Sequence, residues 1–123
     1  MKIMLADDDK DLSRLAETIL RASGHQIIKT VDASQILSGA QREKPDLILL
    51  DINMPGGNGS DILVKLKRST LTSKIQVIVV SGIADPKVRT LVVNDGAEGF
   101  LQKPWAPENL VQDLQKLAPH LPW

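Results

Sequence analysis

The sequence of 123 residues contains no cysteine and no tyrosine, and aromatic residues make up only 2% of it. The lack of cysteine excludes disulfide bonds and thiolate metal sites, and it is typical of a reducing compartment such as the cytoplasm. No apolar run approaches the roughly 20 residues that cross a membrane. The first apolar stretch ends at Asp7, too early for a signal peptide. We therefore predict a cytoplasmic protein that does not contact the membrane.

An excess of charge of one sign is also missing, because Lys and Arg number 15 and Asp and Glu number 15. Proteins that bind nucleic acids usually carry a basic excess or a basic stripe. We therefore predict no direct binding to nucleic acid. Hydrophobic residues make up 42% of the chain, and its length suits one domain with one core. We predict that residues 1–123 form a single domain.

Two uninterrupted apolar runs are present, at residues 47–50 and 77–80. Such runs are typical of strands that are covered on both faces, so both are predicted to be central parallel strands. Weaker strands are predicted at residues 2–6, 26–30 and 98–102. Segments with the helical spacing of apolar residues alternate with these strands. The alternation predicts an α/β fold, namely a doubly wound, flavodoxin-like sheet of five parallel strands in the order 2-1-3-4-5.

Polar residues follow four of the five predicted strands. In chain order they are Asp7, Asp8, Asp9, Asp51, Ser81 and Lys103. Each alone has an ordinary explanation, because acidic residues cap helices and Ser and Lys are common in loops. In this fold, however, the crevice lies at the carboxyl ends of the strands. The side chains are therefore predicted to converge there.

Clustered carboxylates call for a cation, because unit charges about 4 Å apart repel by roughly 4 kcal/mol at an effective dielectric constant near 20. Oxygen ligands favour a hard ion such as Mg²⁺, which keeps several waters for phosphate oxygens. A carboxylate can itself attack a phosphoryl group while a Lys neutralises the charge on its oxygens. Asp51 is the candidate nucleophile, because it ends the most buried predicted strand.

Four stretches that carry these residues resemble the receiver domains of two-component response regulators, and the resemblance covers essentially the whole chain. They are residues 4–9 (MLADDD), 49–55 (LLDINMP), 79–82 (VVSG) and 99–104 (GFLQKP). The resemblance implies that Asp51 accepts a phosphoryl group from a phosphohistidine donor, either a sensor histidine kinase or a histidine phosphotransfer protein. It also implies a signalling switch with at most self-catalysed phosphotransfer and dephosphorylation, rather than an enzyme.

The resemblance further implies a metal site for Mg²⁺, or for Mn²⁺ in its place. Asp8 and Asp51 would bind the ion directly, together with the backbone carbonyl of Asn53. Asp7 would act mainly through a water. The neighbouring loop departs from the family pattern, since Gly57 and Asn58 stand where an apolar residue and an Asp are common. We expect this loop to be more flexible than is usual in the family.

The remaining implied roles concern the phosphoryl group and the switch. Ser81 and Lys103 would contact phosphoryl oxygens, and the bond from Lys103 to Pro104 would be cis. On phosphorylation the Ser81 hydroxyl would move and the Phe100 ring would turn inward. Both movements would remodel the face of helix 4, strand 5 and helix 5, through which a homodimer is also possible. Phe100 alone has a simpler explanation as a core residue. Ala106 replaces the usual capping residue, which predicts a weaker start of the last helix.

Alternative functions stay open at this point. A phosphohydrolase could use Asp51 as its nucleophile, but that class needs a second Asp where Asn53 stands. A dinucleotide or flavin module would need a Gly-rich first turn, and here the turn is Asp-rich. The chain could also be a receiver taken from a larger response regulator or hybrid kinase, or a receiver that only binds partners. His25 and His120 are isolated and are predicted to be surface residues.

Overall fold

The structure is a computed structural model that describes residues 1–52, 59–82 and 85–123. Five parallel strands form one sheet in the order β2-β1-β3-β4-β5, which confirms the predicted fold. The strands are β1 (Lys2–Ala6), β2 (Gln26–Thr30), β3 (Leu47–Asp51), β4 (Gln76–Ser81) and β5 (Gly99–Gln102). Each predicted boundary lies within one residue of the observed one, because turn residues and polar residues flank the apolar segments closely.

Five helices connect and cover the strands. They are α1 (Lys10–Ala22), α2 (Ala33–Glu43), α3 (Gly59–Arg68), α4 (Pro86–Asn94) and α5 (Leu110–Leu117). Asp9 caps α1 by accepting hydrogen bonds from the backbone nitrogens of Asp11 and Leu12. Asp9 is therefore accounted for by helix capping. None of the helices in the described ranges is long and apolar enough to span a membrane.

In the part of the chain that the structure describes, the start of the last helix lacks a side-chain cap, in line with the Ala106 residue at the capping position. Residues Pro107–Asn109 form a 3₁₀ turn, and α5 follows it directly. Within the described range 85–123, neither Ala106 nor Asn109 supplies a side-chain hydrogen bond to the start of these turns. The first backbone N–H groups of this segment thus lack the side-chain cap that Asp9 provides for α1.

The sheet has a hydrophobic core on each face, because successive residues of a strand point to opposite sides. On one face, side chains of α2, α3 and α4 pack against Met4, Ile48, Leu50, Val77, Val79 and Phe100. On the other face, side chains of α1 and α5 pack against Ile3, Leu5, Leu47, Leu49, Ile78, Val80 and Leu101. All five residues of β3 are buried. The strand that ends in Asp51 is therefore covered on both sides, as its apolar run predicts.

The prediction that His25 lies on the surface is wrong, since only 7% of this residue is exposed. The Trp123 ring packs edge-on against it, with 5.7 Å between ring centroids and an interplanar angle of 89°. Trp123 is held in turn by its Nε1, which donates to the carbonyl of Ala118 at 2.7 Å. Burial and the charge of the Met1 amino group, which lies 3.1 Å from His25 Nδ1, lower the pKa of His25. His120 is exposed, as predicted.

Candidate functional site

The carboxyl ends of β1, β3, β4 and β5 meet at one edge of the sheet. Ala6 of β1 pairs in register with Leu50 of β3, so Asp7 and Asp51 each come one residue later on neighbouring strands. The backbone nitrogen of Asp7 donates to the carbonyl of Thr30 at 3.2 Å, which extends the pairing of β1 with β2 by one residue. Parallel pairing therefore brings the acidic residues together at the predicted crevice.

Three carboxylates form a cluster at this edge. Asp7, Asp8 and Asp51 each contribute one carboxylate oxygen, and these oxygens lie within 4.8 Å of one another. Asp51 is buried, Asp7 is half-buried and Asp8 is exposed. At this spacing each pair of unit charges repels by about 3 to 4 kcal/mol at an effective dielectric constant of about 20. A positive charge bound among these carboxylates would therefore lower their repulsion energy. The cluster is accessible to solvent at Asp8.

Lys103 supplies part of that charge. Its Nζ lies 2.9 Å from Asp7 Oδ2 and 3.4 Å from Asp51 Oδ2, and 16% of its side chain is exposed. Burial by itself lowers the pKa of Lys103, but the hydrogen bond and charge of Asp7, together with those of Asp51, outweigh burial and raise the pKa above its ordinary value. Lys103 therefore remains an ammonium ion between two of the carboxylates.

The backbone around Lys103 fixes its position. Its backbone nitrogen donates to the carbonyl of Ser81 at 2.8 Å, which joins the ends of β4 and β5. The peptide bond from Lys103 to Pro104 is cis, as predicted. Ser81 is the last residue of β4 and is completely buried. Ser81 and Lys103 therefore lie at the same edge of the sheet as Asp51.

The charges of the cluster do not balance among the described residues, where three carboxylates face one ammonium group. The donors are all carboxylate oxygens, which is the donor set that hard divalent cations prefer. The residues present thus fit a Mg²⁺ or Mn²⁺ ion. The predicted ligand Asn53 lies outside the described residues, and so do Gly57 and Asn58 of the loop for which we predict greater flexibility.

Phe100 lies apart from this cluster, in the middle of β5. It pairs in register with Val79, and only 9% of the residue is exposed. The guanidinium carbon of Arg89 on α4 lies 5.2 Å from the centroid of the Phe100 ring. Sequence reasoning missed Arg89, because nothing in a helical spacing pattern shows which exposed residue of α4 lies over a strand residue eleven positions later.

Comparison with known proteins agrees with this arrangement. Residues 3–115 match the family model of the response regulator receiver domain. The DNA-binding response regulator MtrA of Mycolicibacterium smegmatis is 31% identical over 110 residues, which are 89% of this chain and 47% of that protein. The chain spans about half the length of the curated relatives that it matches.

Solved structures share the fold. The chemotaxis response regulator CheY4 of Vibrio cholerae superposes with a TM-score of 0.87 at 24% identity, over 94% of this chain and 97% of that chain. The Mn²⁺-bound form of response regulator Rcp1 superposes with a TM-score of 0.81 at 25% identity, over 97% and 92% of the two chains. With its sheet order, its acidic crevice and a family match over residues 3–115, this chain belongs to the receiver domain family of response regulators.

Proposed function

We propose that residues 1–123 form a single receiver domain in which Asp51 accepts a phosphoryl group from a phosphohistidine donor, either a sensor histidine kinase or a histidine phosphotransfer protein. One observation carries this proposal. The buried carboxylate of Asp51 lies 3.4 Å from the Lys103 ammonium and has an oxygen within 4.8 Å of oxygens of Asp7 and Asp8. A nucleophile with a fixed ammonium group beside it suits attack on a dianionic phosphoryl group.

In the proposed reaction, an oxygen of the Asp51 carboxylate forms a bond to phosphorus while the phosphorus–nitrogen bond of the phosphohistidine breaks. The electron pair of that bond stays with the imidazole, which takes up a proton. Lys103 keeps its proton throughout and neutralises charge on a phosphoryl oxygen, since its pKa is raised. The Ser81 hydroxyl, at the buried end of β4, would hydrogen-bond another phosphoryl oxygen.

The acidic cluster would hold Mg²⁺, or Mn²⁺ in its place. Asp8 and Asp51 would bind the ion directly with the backbone carbonyl of Asn53, and Asp7 would contact it through a water. When bound, the ion offsets the carboxylate repulsion and withdraws charge from phosphoryl oxygens. The excess of carboxylates over ammonium groups at Asp7, Asp8 and Asp51 supports this assignment, and so does the Mn²⁺-bound form of the relative Rcp1.

Membership of the receiver family favours a signalling switch over a phosphohydrolase. The domain would catalyse at most its own phosphotransfer and dephosphorylation. Asn53 stands where a phosphohydrolase of the kind considered above needs its second Asp, which also supports the switch. We place the reaction in the cytoplasm, with no direct contact of this domain with nucleic acid or membrane.

The output would pass through the face formed by α4, β5 and α5, where Ser81 and Phe100 act as the switch residues. A homodimer through that face is part of the proposal. Because the chain spans about half of relatives such as MtrA, a second arrangement is a receiver that works as one module of a larger response regulator or hybrid kinase. The chemistry at Asp51 would be the same in both arrangements.

The test is phosphorylation by a small donor. The protein is incubated with acetyl phosphate and Mg²⁺, and the mass of the intact chain is measured. Wild type is expected to gain one phosphoryl group, and Asp51→Asn is expected to gain none. Asp61→Asn is the matched control, since Asp61 is an exposed residue of α3, and it should label like wild type. Equal labelling of wild type and Asp51→Asn would overturn the assignment of the acceptor.

A further inference from the structure

Phe100 lies on the edge strand of the sheet, so its ring has a neighbouring strand on one side only. Its neighbour is β4, and beyond β5 the sheet order ends. The ring packs in the core that α2, α3 and α4 cover, together with Val92 and Ala97 and with the partly buried Val88. Whether the ring stays in this core therefore depends strongly on how α4 is held against β5.

Few residues anchor α4. Of its nine residues, all of them described, only Val92 is buried. Leu91 and Val93 on the same helix are about half exposed, at 53% and 49%. By contrast, α1 has three buried residues and α2 has four. Since apolar burial is what holds a surface helix to its sheet, any further contact between α4 and β5 carries unusual weight.

Arg89 makes such a contact. Its guanidinium carbon lies 5.2 Å from the Phe100 ring centroid, and a cation within about 6 Å of an aromatic centroid is attracted by the ring quadrupole. Among the described residues, Arg89 takes part in no ion pair. Within the described ranges, the exposed Arg89 side chain therefore has the Phe100 ring, rather than a carboxylate, as its partner.

We propose that Arg89 is a positioning residue of the switch, which holds the Phe100 ring in its buried position by a cation–π contact. In this role Arg89 sets the ratio between the populations of molecules with the Phe100 ring inward and outward. That ratio in turn sets which conformation of the face formed by α4, β5 and α5 is favoured. The link from ring position to signalling rests on the proposed function. The effect of Arg89 on the ring does not, since it depends only on the contact between α4 and β5.

The contact between Arg89 and Phe100 is placed where a movement of Ser81 could change it, because α4 follows β4 closely in the chain. The helix begins at Pro86, five residues after Ser81, and Asp85 caps it by accepting a hydrogen bond from the backbone nitrogen of Lys87. Since few residues separate Ser81 from Pro86 in the sequence, we expect a shift of the Ser81 end of β4 to move the first turns of α4, where Arg89 is the fourth residue. Movement of α4 along β5 changes the distance from guanidinium to ring, and with it the stability of the inward ring.

The composition of the chain allows a direct measurement, because Phe100 is its only phenylalanine. Growth with 4-fluorophenylalanine places one fluorine in the protein, on this ring. The change of its ¹⁹F resonance between H₂O and D₂O reports how much solvent reaches the ring.

Arg89→Met keeps an apolar stem and removes the charge. Lys87→Met is the matched control, since Lys87 is an exposed cation of the same helix with no contact to the ring among the described residues.

We expect a small solvent isotope shift for wild type and for Lys87→Met. For Arg89→Met we expect a larger shift, which corresponds to a fall of about two- to fivefold in the ratio of inward to outward ring. Arg89→Lys should lie between the two, because an ammonium group retains the charge with a poorer fit to the ring. An Arg89→Met shift equal to that of wild type, or a shift of the same size in Lys87→Met, would overturn the role of Arg89.

Mass labelling with acetyl phosphate, run on the same fluorinated samples, separates this inference from the proposed function. If wild type gains a phosphoryl group at Asp51 and the solvent isotope shift of Arg89→Met equals that of wild type, the proposed role of Arg89 is wrong and the assignment of Asp51 as acceptor is supported. If wild type gains no phosphoryl group and the solvent isotope shift of Arg89→Met is larger than that of wild type, the assignment of Asp51 as acceptor is wrong and the effect of Arg89 on the Phe100 ring is supported. Thermal melting of the four proteins shows whether each is folded at the temperature of the measurement.

Discussion

Two lysines at opposite edges of the same sheet are buried to a similar degree but have different surroundings. Lys103 lies at the carboxyl edge with 16% of its side chain exposed, and Lys67 lies at the amino edge with 13% exposed. Lys67 Nζ donates to Glu98 Oε1 at 2.6 Å and to the carbonyl of Ile75 at 2.7 Å. Glu98 Oε2 in turn accepts from the backbone nitrogen of Val77. At the amino edge, one ammonium group therefore meets one carboxylate, and both have further partners.

At the carboxyl edge the numbers are unequal, since among the described residues three carboxylates cluster together and one ammonium group contacts two of them. The difference shows that burial of a lysine beside a carboxylate does not by itself mark a functional site. The balanced pair joins α3 to the starts of β4 and β5. At the carboxyl edge, carboxylates outnumber ammonium groups among the described residues, and under the proposed function they would hold a metal ion while Lys103 would contact a phosphoryl oxygen.

The largest expected effect comes from removing the ammonium group at the carboxyl edge. Lys103→Met should slow phosphorylation by acetyl phosphate about 100-fold, because removing one fixed group that stabilises transition-state charge typically costs that much. The measurement is the initial rate of mass labelling with Mg²⁺ present. Lys116→Met, which removes an exposed cation of α5, is the control and should keep the wild-type rate. A Lys103→Met rate within twofold of wild type would show that Lys103 does not act on the phosphoryl group.

Removing the lysine at the amino edge should instead affect stability. Lys67→Met leaves the Glu98 carboxylate and the Ile75 carbonyl without their ammonium partner, and we expect the free energy of unfolding to fall by about 2 kcal/mol. This is less than the cost of breaking a fully buried pair, because both side chains keep some contact with water. Urea unfolding measures the change.

Lys65→Met on the same helix is the control for this variant, since Lys65 is exposed and should change stability little. The rate of phosphorylation of folded Lys67→Met should equal that of wild type. If Lys67→Met lost labelling while remaining folded, the two edges of the sheet would be coupled, and the division into a stabilising pair and a reactive cluster would not hold.

The smallest expected effect comes from Asp8→Asn, which tests directly whether the cluster carries an excess of negative charge. In EDTA, Asp8→Asn should raise the free energy of unfolding by up to about 1 kcal/mol, because it removes one of three clustered charges and the exposed side chain is screened by water. With Mg²⁺ present the order should reverse, since wild type gains stability from binding the ion and the variant gains less. Thermal melting in the two buffers, with Asp61→Asn as control, measures both differences. Equal stabilisation of Asp8→Asn and wild type by Mg²⁺ would contradict a role of Asp8 as a metal ligand.

Much of the fold followed from local patterns. The continuous apolar runs at residues 47–50 and 77–80 correspond to β3 and β4, because a strand that is covered on both faces needs apolar residues at every position. The convergence of Asp7, Asp51 and Lys103 was predictable as well. Once the strands are parallel and their order is known, residues that follow them must lie at one edge.

Other features could not be predicted in this way. The burial of His25 depends on residues near position 123 that fold back over it, and the pairing of Lys67 with Glu98 joins residues 31 positions apart. The contact of Arg89 with Phe100 depends on how α4 is rotated and placed on the sheet. In each case the contact depends on how separate elements of the fold pack together, and neither residue type shows locally which residue it will meet.

The sequence by itself determined that this chain is a five-stranded α/β domain with carboxylates, a hydroxyl and an ammonium group at the ends of its strands, because apolar periodicity and the residues at strand ends are local properties. Only the tertiary structure decided which charges are balanced. Coulomb energy depends on distances across the fold, and those distances separate the pair of Lys67 and Glu98 from the cluster of Asp7, Asp8 and Asp51, two of whose carboxylates contact Lys103.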